Sequence, residues 1–193
     1  MQQQASAIRA VIDIGSNTIE VLVARCLPGD LEIIEHQATM ARLGESVNES
    51  GELSRDKFDT ALHALRKYQG LAKKHGAEQI LAVATEALRE ARNSQDFLEA
   101  VKRETDIEVQ LISGSAEAVL DYYGATYSPG TPSDAGVLDV GGGSTLLSYA
   151  VCASDTHPGT AACADRYRVE RVVTPQACAA CLQTGSTERP HDV

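Results

Sequence analysis

The sequence predicts an α/β fold, because β-branched runs alternate with segments of helical period before about residue 127. Three predicted strands come first. Ala7 to Ile14 ends at a glycine, Thr18 to Cys26 follows it, and Leu31 to Met40 comes after a Pro-Gly-Asp turn. Because only antiparallel strands can be joined by such short connections, we expect an antiparallel meander.

A long helix is predicted after the meander. Ser54 is a favourable N-cap, apolar residues recur at helical spacing from Phe58, and Gly76 supplies a C-terminal stop. The next elements are a strand, a helix, a strand and a helix: Gln79 to Thr85, a helix capped by Ser94, Glu108 to Ile112, and Glu117 to Thr126. The alternation supports the α/β class.

The pattern changes towards the C-terminus. A Pro/Gly/Ser-rich stretch from Ser128 to Ala135 predicts a linker, and Gly136 to Val140 predicts a strand. After about residue 150, neither a strand period nor a helix period persists, and we predict no regular element there.

Composition restricts the classes of function. The net charge of −10 disfavours a nucleic-acid surface, which requires clustered Lys and Arg. No apolar stretch is long enough for a membrane span, and residues 1–6 lack the pattern of a signal peptide, so we expect a cytoplasmic protein without membrane contact. An odd number of cysteines, 5, fits a reducing compartment.

Two strand-to-turn motifs have the same chemistry. Asp13-Ile14-Gly15-Ser16-Asn17-Thr18 and Asp139-Val140-Gly141-Gly142-Gly143-Ser144-Thr145 each place an aspartate before glycine and hydroxyl residues. Glycine allows a ligand to approach the backbone, exposed N–H groups can hold phosphate, and aspartate can hold Mg²⁺. Each turn alone is equally typical of a β-hairpin. Two matched copies favour a phosphate site.

This pairing resembles the ribonuclease H-like fold of actin, sugar kinases and heat-shock ATPases. Further motifs resemble the exopolyphosphatase and guanosine pentaphosphate phosphohydrolase (Ppx/GppA phosphatase) family: Ala84 to Ala91, Ile112 to Gly114 with Glu117-Ala118, and Arg42 to Glu45. The resemblance covers Ala7 to about Thr145. It implies a first actin-like subdomain over residues 1–127, and a linker and second hairpin over 128–150.

The resemblance also implies roles for individual residues. Glu117 matches the catalytic base, although a first-turn glutamate is also favoured by the helix dipole. Arg89 matches a phosphate-clamping arginine, although a surface salt bridge would explain it too. Asp13 and Asp139 match the residues associated with Mg²⁺. The phosphate-binding matches are Gly15, Ser16, Asn17, Gly141, Gly142, Gly143, Ser144 and Thr145.

Two positions depart from the family pattern. Leu146 stands where the family usually has glutamate, and Val119 stands where it usually has arginine, so we expect weakened activity. Because the pattern also ends near Leu146, we expect residues 151–193 to be an irregular tail that does not continue the second subdomain natively.

The resemblance implies a hydrolase that releases terminal phosphate from inorganic polyphosphate or guanosine pentaphosphate by Mg²⁺-assisted attack of water. The alternative is a truncated, non-catalytic remnant that at most binds polyphosphate. A kinase or ATPase of the same fold is disfavoured by the Glu117 and Arg89 motifs. Cys178 and Cys181 have the spacing of half a zinc site, but no second pair accompanies them. The oligomeric state stays open, a dimer included.

Overall fold

The computed structural model describes residues 6–28, 30–126, 136–140, 144–152 and 167–175. Two compact units divide the chain between Gly114 and Ser115. The first unit contains most of the described residues, and it includes the predicted meander.

The first unit is built on a five-stranded sheet of order β3-β2-β1-β4-β5. Its strands are β1 (Ala7–Ile14), β2 (Thr18–Leu27), β3 (Asp30–Met40), β4 (Gln79–Ala84) and β5 (Val109–Leu111). The first three strands pair antiparallel, whereas β1, β4 and β5 run parallel to one another. The meander and the mixed α/β character are therefore as predicted.

Five helices lie in the described ranges: α1 (Leu43–Ser50), α2 (Arg55–Lys74), α3 (Glu86–Glu90), α4 (Ser94–Thr105) and α5 (Gly114–Thr126). Ser54 occupies the N-cap of α2, as predicted, whereas the residue at the N-cap of α4 is Asn93 rather than Ser94. Helix α5 begins at Gly114, three residues before the predicted start, so Gly114 and Ser115 belong to its first turn.

The sequence did not predict α1 and α3. Helix α1 buries Gly44 and Ser46 beside Leu43 and Val47, so its inward face lacks a regular apolar pattern. Helix α3 has only 5 residues, which is less than two helical turns. Neither segment is long enough for periodicity to identify it.

The core lies between one face of the sheet and helices α2 and α4. Alternate residues of β1 and β2 are fully buried, including Ile12, Ile14 and Val21, which is the period expected of a strand covered on one face. Leu65 of α2 and Phe97 of α4 are also fully buried and belong to the same cluster. Apolar burial of this kind is the main stabilising contribution to a fold.

The second unit contains a three-stranded antiparallel sheet of order β6-β7-β8. Its strands are β6 (Gly136–Val140), β7 (Ser144–Cys152) and β8 (Tyr167–Pro175). Strand β6 is as predicted. Strand β8 lies where we predicted no regular element, in a segment rich in valine, whose β-branched side chain favours strands. Of the predicted tail, the structure describes only 151–152 and 167–175.

Candidate functional site

The carboxyl ends of three parallel strands lie side by side at one edge of the first sheet. Ile14 at the end of β1 pairs with Ala84 at the end of β4, and Ala84 pairs with Leu111 at the end of β5. In open α/β sheets, ligands bind outside the carboxyl ends of the strands. We call this side of the first sheet the carboxyl edge, and it is the candidate site in the first unit.

The predicted Gly15-Ser16-Asn17 turn leaves this edge directly after β1. The Gly15 N–H donates to the Thr18 carbonyl at 3.0 Å, which closes the β1–β2 hairpin. A Cβ atom at Gly15 would lie 3.0 Å from that same carbonyl oxygen, so the turn leaves little room for a side chain there. Ser16 is buried and Asn17 is exposed. The turn therefore presents a compact backbone with one exposed amide side chain.

The segment leading into α1 fixes the hairpin turn from the side. The N–H groups of Ala41 and Arg42 both donate to the Asn17 carbonyl, at 2.9 and 2.8 Å, and the Gly44 N–H donates to the Ser16 carbonyl at 2.9 Å. Arg42 adopts a left-handed conformation with φ 50°, which turns the chain into the helix. Three main-chain hydrogen bonds thus hold the turn without using its side chains.

A second feature of the edge is the segment that follows β4. The Thr85 N–H donates to the Ile14 carbonyl at 3.2 Å, and the Arg89 N–H donates to the Thr85 carbonyl at 3.1 Å. These bonds start α3 directly beside the end of β1. Helix α3 then carries Arg89 within one turn of the carboxyl edge.

Main-chain oxygen also orients the guanidinium of Arg89. Its Nη1 donates to the Ile112 carbonyl at 3.0 Å, and the Ile112 N–H donates to the Ala84 carbonyl at 3.1 Å. Arg89 is half-buried, which limits the number of conformations its side chain can adopt. Since a guanidinium has five N–H donors in a planar fork, an arginine held in this way is suited to bind a phosphate.

Two carboxylates lie in the strand-end segments of this edge. Asp13 is the exposed residue between buried Ile12 and Ile14 on β1, and it is the register partner of Glu20 on β2. Glu86 is the first residue of α3, and its Oε2 is buried without a hydrogen-bond partner in the described part of the chain. A buried polar oxygen without a donor is uncommon in folded proteins. The edge therefore contains carboxylate oxygens as well as an arginine.

The remaining predicted residues lie in the second unit. Glu117 is half-buried in the first turn of α5. The backbone of β6 and β7 places Asp139 opposite Leu146 and Val140 opposite Thr145, and Ser144 begins β7. Gly141, Gly142 and Gly143 lie outside the described residues. The roles assigned to these residues stay predictions.

The structure adds three residues that the motifs did not assign to the site. The Gly44 N–H donates to the hairpin turn, and the Thr85 N–H donates to the end of β1. The Ile112 carbonyl orients Arg89. All three act through main-chain atoms, which every residue type possesses. The resemblance of the 42–45, 84–91 and 112–114 segments to the family was the available signal, but it did not indicate these contacts.

Comparison with known proteins places the chain in a family. A model of the Ppx/GppA phosphatase family matches residues 22–180. A solved structure of the Aquifex aeolicus PPX-GPPA enzyme is 33% identical over 89% of this chain and 53% of its own, with a TM-score of 0.72. A second structure of the A. aeolicus family member is 30% identical over 95% of this chain and 56% of its own, with a TM-score of 0.74.

An exopolyphosphatase from Cytophaga hutchinsonii is 26% identical over 74% of this chain and 46% of its own, with a TM-score of 0.69. The chain therefore spans about half the length of these solved relatives. In the described ranges, no helix combines the length and apolar character needed to cross a membrane. The fold is the predicted actin-like α/β fold, and the chain belongs to the Ppx/GppA phosphatase family.

Proposed function

We propose that this chain provides the catalytic and phosphate-binding residues of a hydrolase that releases terminal phosphate from inorganic polyphosphate or guanosine pentaphosphate. The observation that carries the proposal is the carboxyl edge, where a glycine turn after β1 and an arginine after β4 are both fixed by main-chain hydrogen bonds. Such a preorganised arrangement favours binding of a multiply charged anion. Membership of the phosphatase family supports this reading.

In the proposed reaction, the oxygen of a water molecule forms a bond to the terminal phosphorus while the phosphoanhydride P–O bond breaks. Glu117 accepts a proton from that water, and Arg89 balances charge on the transferring group. Positioning and charge stabilisation supply most of the catalysis in phosphoryl transfer. The products are orthophosphate and a chain, or nucleotide, shorter by one phosphate.

We propose Mg²⁺ as the metal ion of this reaction. No group of three or more His, Cys, Asp or Glu side chains forms a metal cluster within the described ranges. Mg²⁺ needs no such cluster, because it is usually bound by one or two carboxylates together with water and substrate phosphates. We propose Asp13 and Asp139 as its carboxylate ligands. When bound, the ion would neutralise negative charge on the phosphates.

Phosphate release from long-chain polyphosphate in the presence of Mg²⁺ tests the proposal. Glu117→Gln should lower the rate about 10²-fold or more, because the amide cannot accept the proton. Glu78→Gln is the matched control, since Glu78 is exposed and directly precedes β4, at the end of that strand opposite to the carboxyl edge. Equal rates for Glu117→Gln and the parent would remove Glu117 from the mechanism.

A second candidate function is binding without hydrolysis. It is favoured by two departures from the family pattern, because Val119 and Leu146 stand where the family usually has arginine and glutamate. A folded parent that binds tripolyphosphate but releases no orthophosphate, with or without Mg²⁺, would support this candidate over the hydrolase.

A further inference from the structure

The turn after α1 and the turn before α4 are joined by a set of hydrogen bonds that the proposed reaction does not explain. The Leu53 N–H donates to Asn93 Oδ1 at 2.8 Å, and Asn93 Nδ2 donates to the Leu53 carbonyl at 2.9 Å. The Arg92 N–H donates to the Gly51 carbonyl at 3.0 Å. We call Gly51, Leu53, Arg92 and Asn93 the latch.

The side chain of Arg92 reinforces the latch. Its Nη2 donates to the Ser50 carbonyl at 2.9 Å, and its Nε lies 3.3 Å from Glu52 Oε1. Gly51 has φ 72°, and a Cβ atom there would lie 2.6 Å from Arg92 Nη1. A side chain at Gly51 would therefore strain the backbone and displace the guanidinium.

Asn93 uses its side chain for the latch instead of capping its own helix. It occupies the N-cap of α4, but its side chain makes no capping hydrogen bond. Asparagine is among the preferred N-cap residues because its side-chain oxygen can accept from the first turn of the helix. Here both polar atoms of the amide bind Leu53 instead. The asparagine thus stabilises a contact between distant segments rather than the start of its own helix.

The latch lies at the ends of the two helices that begin at the carboxyl edge. Helix α1 has 8 residues and carries Gly44, which binds the hairpin turn, while α3 has 5 residues and carries Arg89. Helices this short are not stable by themselves in water. Their positions must therefore be set by contacts with the rest of the fold.

Two consecutive hydrogen bonds connect Ser54, the residue after Leu53 of the latch, with Leu43 at the start of α1. The Ser54 N–H donates to Ser46 Oγ at 3.2 Å, and Ser46 Oγ donates to the Leu43 carbonyl at 3.2 Å. Ser46 is buried, so water competes little for these bonds. Leu43 directly precedes Gly44, whose N–H binds Ser16.

We infer that Asn93 and Arg92 are positioning residues for the proposed phosphate site. By joining the C-terminal ends of α1 and α3, the latch sets the distance between the hairpin turn and Arg89. The effect on phosphate binding rests on the proposed function. The mechanical part, that the latch holds Gly44 and Arg89 in place, stands independently of any ligand.

Hydrogen exchange of backbone amides in the full chain tests the mechanical part. In Asn93→Ala, the amides of Gly44 and Arg89 should exchange about fivefold faster, the size of a modest coupling through a packed network. The amide of Tyr68 in the core should keep its rate. Asn48→Ala is the matched control, because Asn48 is exposed on α1 and outside the latch. Faster exchange at Leu53 with unchanged Gly44 and Arg89 would overturn the inference.

Gly51→Ala disrupts the latch at the Arg92 guanidinium rather than at Asn93. It provides a second variant should Asn93→Ala fail to fold. The two substitutions together should accelerate exchange little more than either alone, because both break the same contact. Asn93→Asp should give an intermediate rate, since it keeps the acceptor for the Leu53 N–H and loses the donor to the Leu53 carbonyl. Fully additive effects of Gly51→Ala and Asn93→Ala would contradict a shared latch.

Titration with tripolyphosphate tests the link to the site. We expect Asn93→Ala to raise the Kd about fivefold under conditions in which it is fully folded. An unchanged Kd alongside faster exchange would overturn the positioning role. Absence of binding in the parent itself would overturn the proposed function instead, and the exchange rates would then decide the mechanical part by themselves.

Discussion

The helix-covered face of the first sheet and its carboxyl edge are stabilised in different ways. The covered face is apolar, with Ile12, Leu65 and Phe97 fully buried. The carboxyl edge is held by main-chain hydrogen bonds to Ser16 and Asn17 and by two short helices. The difference implies that global stability comes from the core, whereas the geometry of the site depends on local polar contacts. Variants can therefore affect one without the other.

The largest expected effect on stability is in the core. Phe97 is fully buried and packs edge-to-face against Phe58, with ring centroids 5.1 Å apart. Phe97→Ala should lower the free energy of unfolding by about 3–5 kcal/mol, because it leaves a cavity that the neighbours fill only in part. Urea denaturation measures this change. Under conditions in which Phe97→Ala is folded, it should keep the parent's Kd for tripolyphosphate.

Phe58→Ala is the matched control for this prediction. Phe58 is only partly buried, so its truncation should cost less than that of Phe97. A larger loss of stability in Phe58→Ala than in Phe97→Ala would show that the core is centred elsewhere.

A smaller effect is expected at the polar contact between the core and the meander. The hydroxyl of buried Tyr68 donates to the Ile19 carbonyl at 3.1 Å and lies 2.7 Å from Thr39 Oγ1. Tyr68→Phe should lower the free energy of unfolding by about 1–2 kcal/mol, because the buried Ile19 carbonyl loses this donor. Thermal unfolding compares it with Tyr123→Phe, whose side chain is exposed and which should leave stability unchanged. Equal stability of Tyr68→Phe and the parent would contradict the assigned hydrogen bonds.

The smallest expected effect lies on the surface, at the end of α4. Lys102 lowers the pKa of Asp106 below the usual 3.8, mainly by donating a hydrogen bond to the carboxylate and also through its positive charge. Because the folded pKa is the lower one, the pair stabilises the fold above about pH 4 and loses that contribution as the pH falls through the folded pKa. Asp106→Asn should therefore be slightly less stable than the parent at neutral pH, and the difference should shrink in acid.

Urea midpoints of the parent and Asp106→Asn across an acid titration measure this effect. Lys102→Gln removes the same pair from the other side and should behave alike. A difference from the parent that stays constant through the acid range would mean that the Asp106 charge does not contribute.

The sequence was sufficient to predict the elements with a strong local pattern. The β-branched runs of β1 to β3 and the Ser54 cap of α2 are local signals, and the structure confirms both. Helix α1 was not predicted because its buried face contains Gly44 and Ser46, and because its position depends on tertiary contacts. Strand β8 was not predicted because its polar and apolar residues do not alternate over a long enough run.

The candidate site divides in the same way. Gly15, Ser16 and Arg89 were predicted from the paired turn motifs and the family resemblance. The contacts that hold them were not predicted, because they use main-chain atoms of residues distant in sequence, such as the Ile112 carbonyl that accepts from Arg89. The pairing of Asn93 with Leu53 joins residues 40 positions apart and has no local pattern either.

Phosphate binding at the carboxyl edge is tested most directly by mapping tripolyphosphate binding on the backbone amides of the full chain by NMR. We expect saturable shifts at residues 15–17 and at Arg89, with amides of the core helices unchanged, and loss of those shifts in Arg89→Gln. Shifts that are absent from the carboxyl edge, or that persist unchanged in Arg89→Gln, would contradict the claim that this edge binds phosphate.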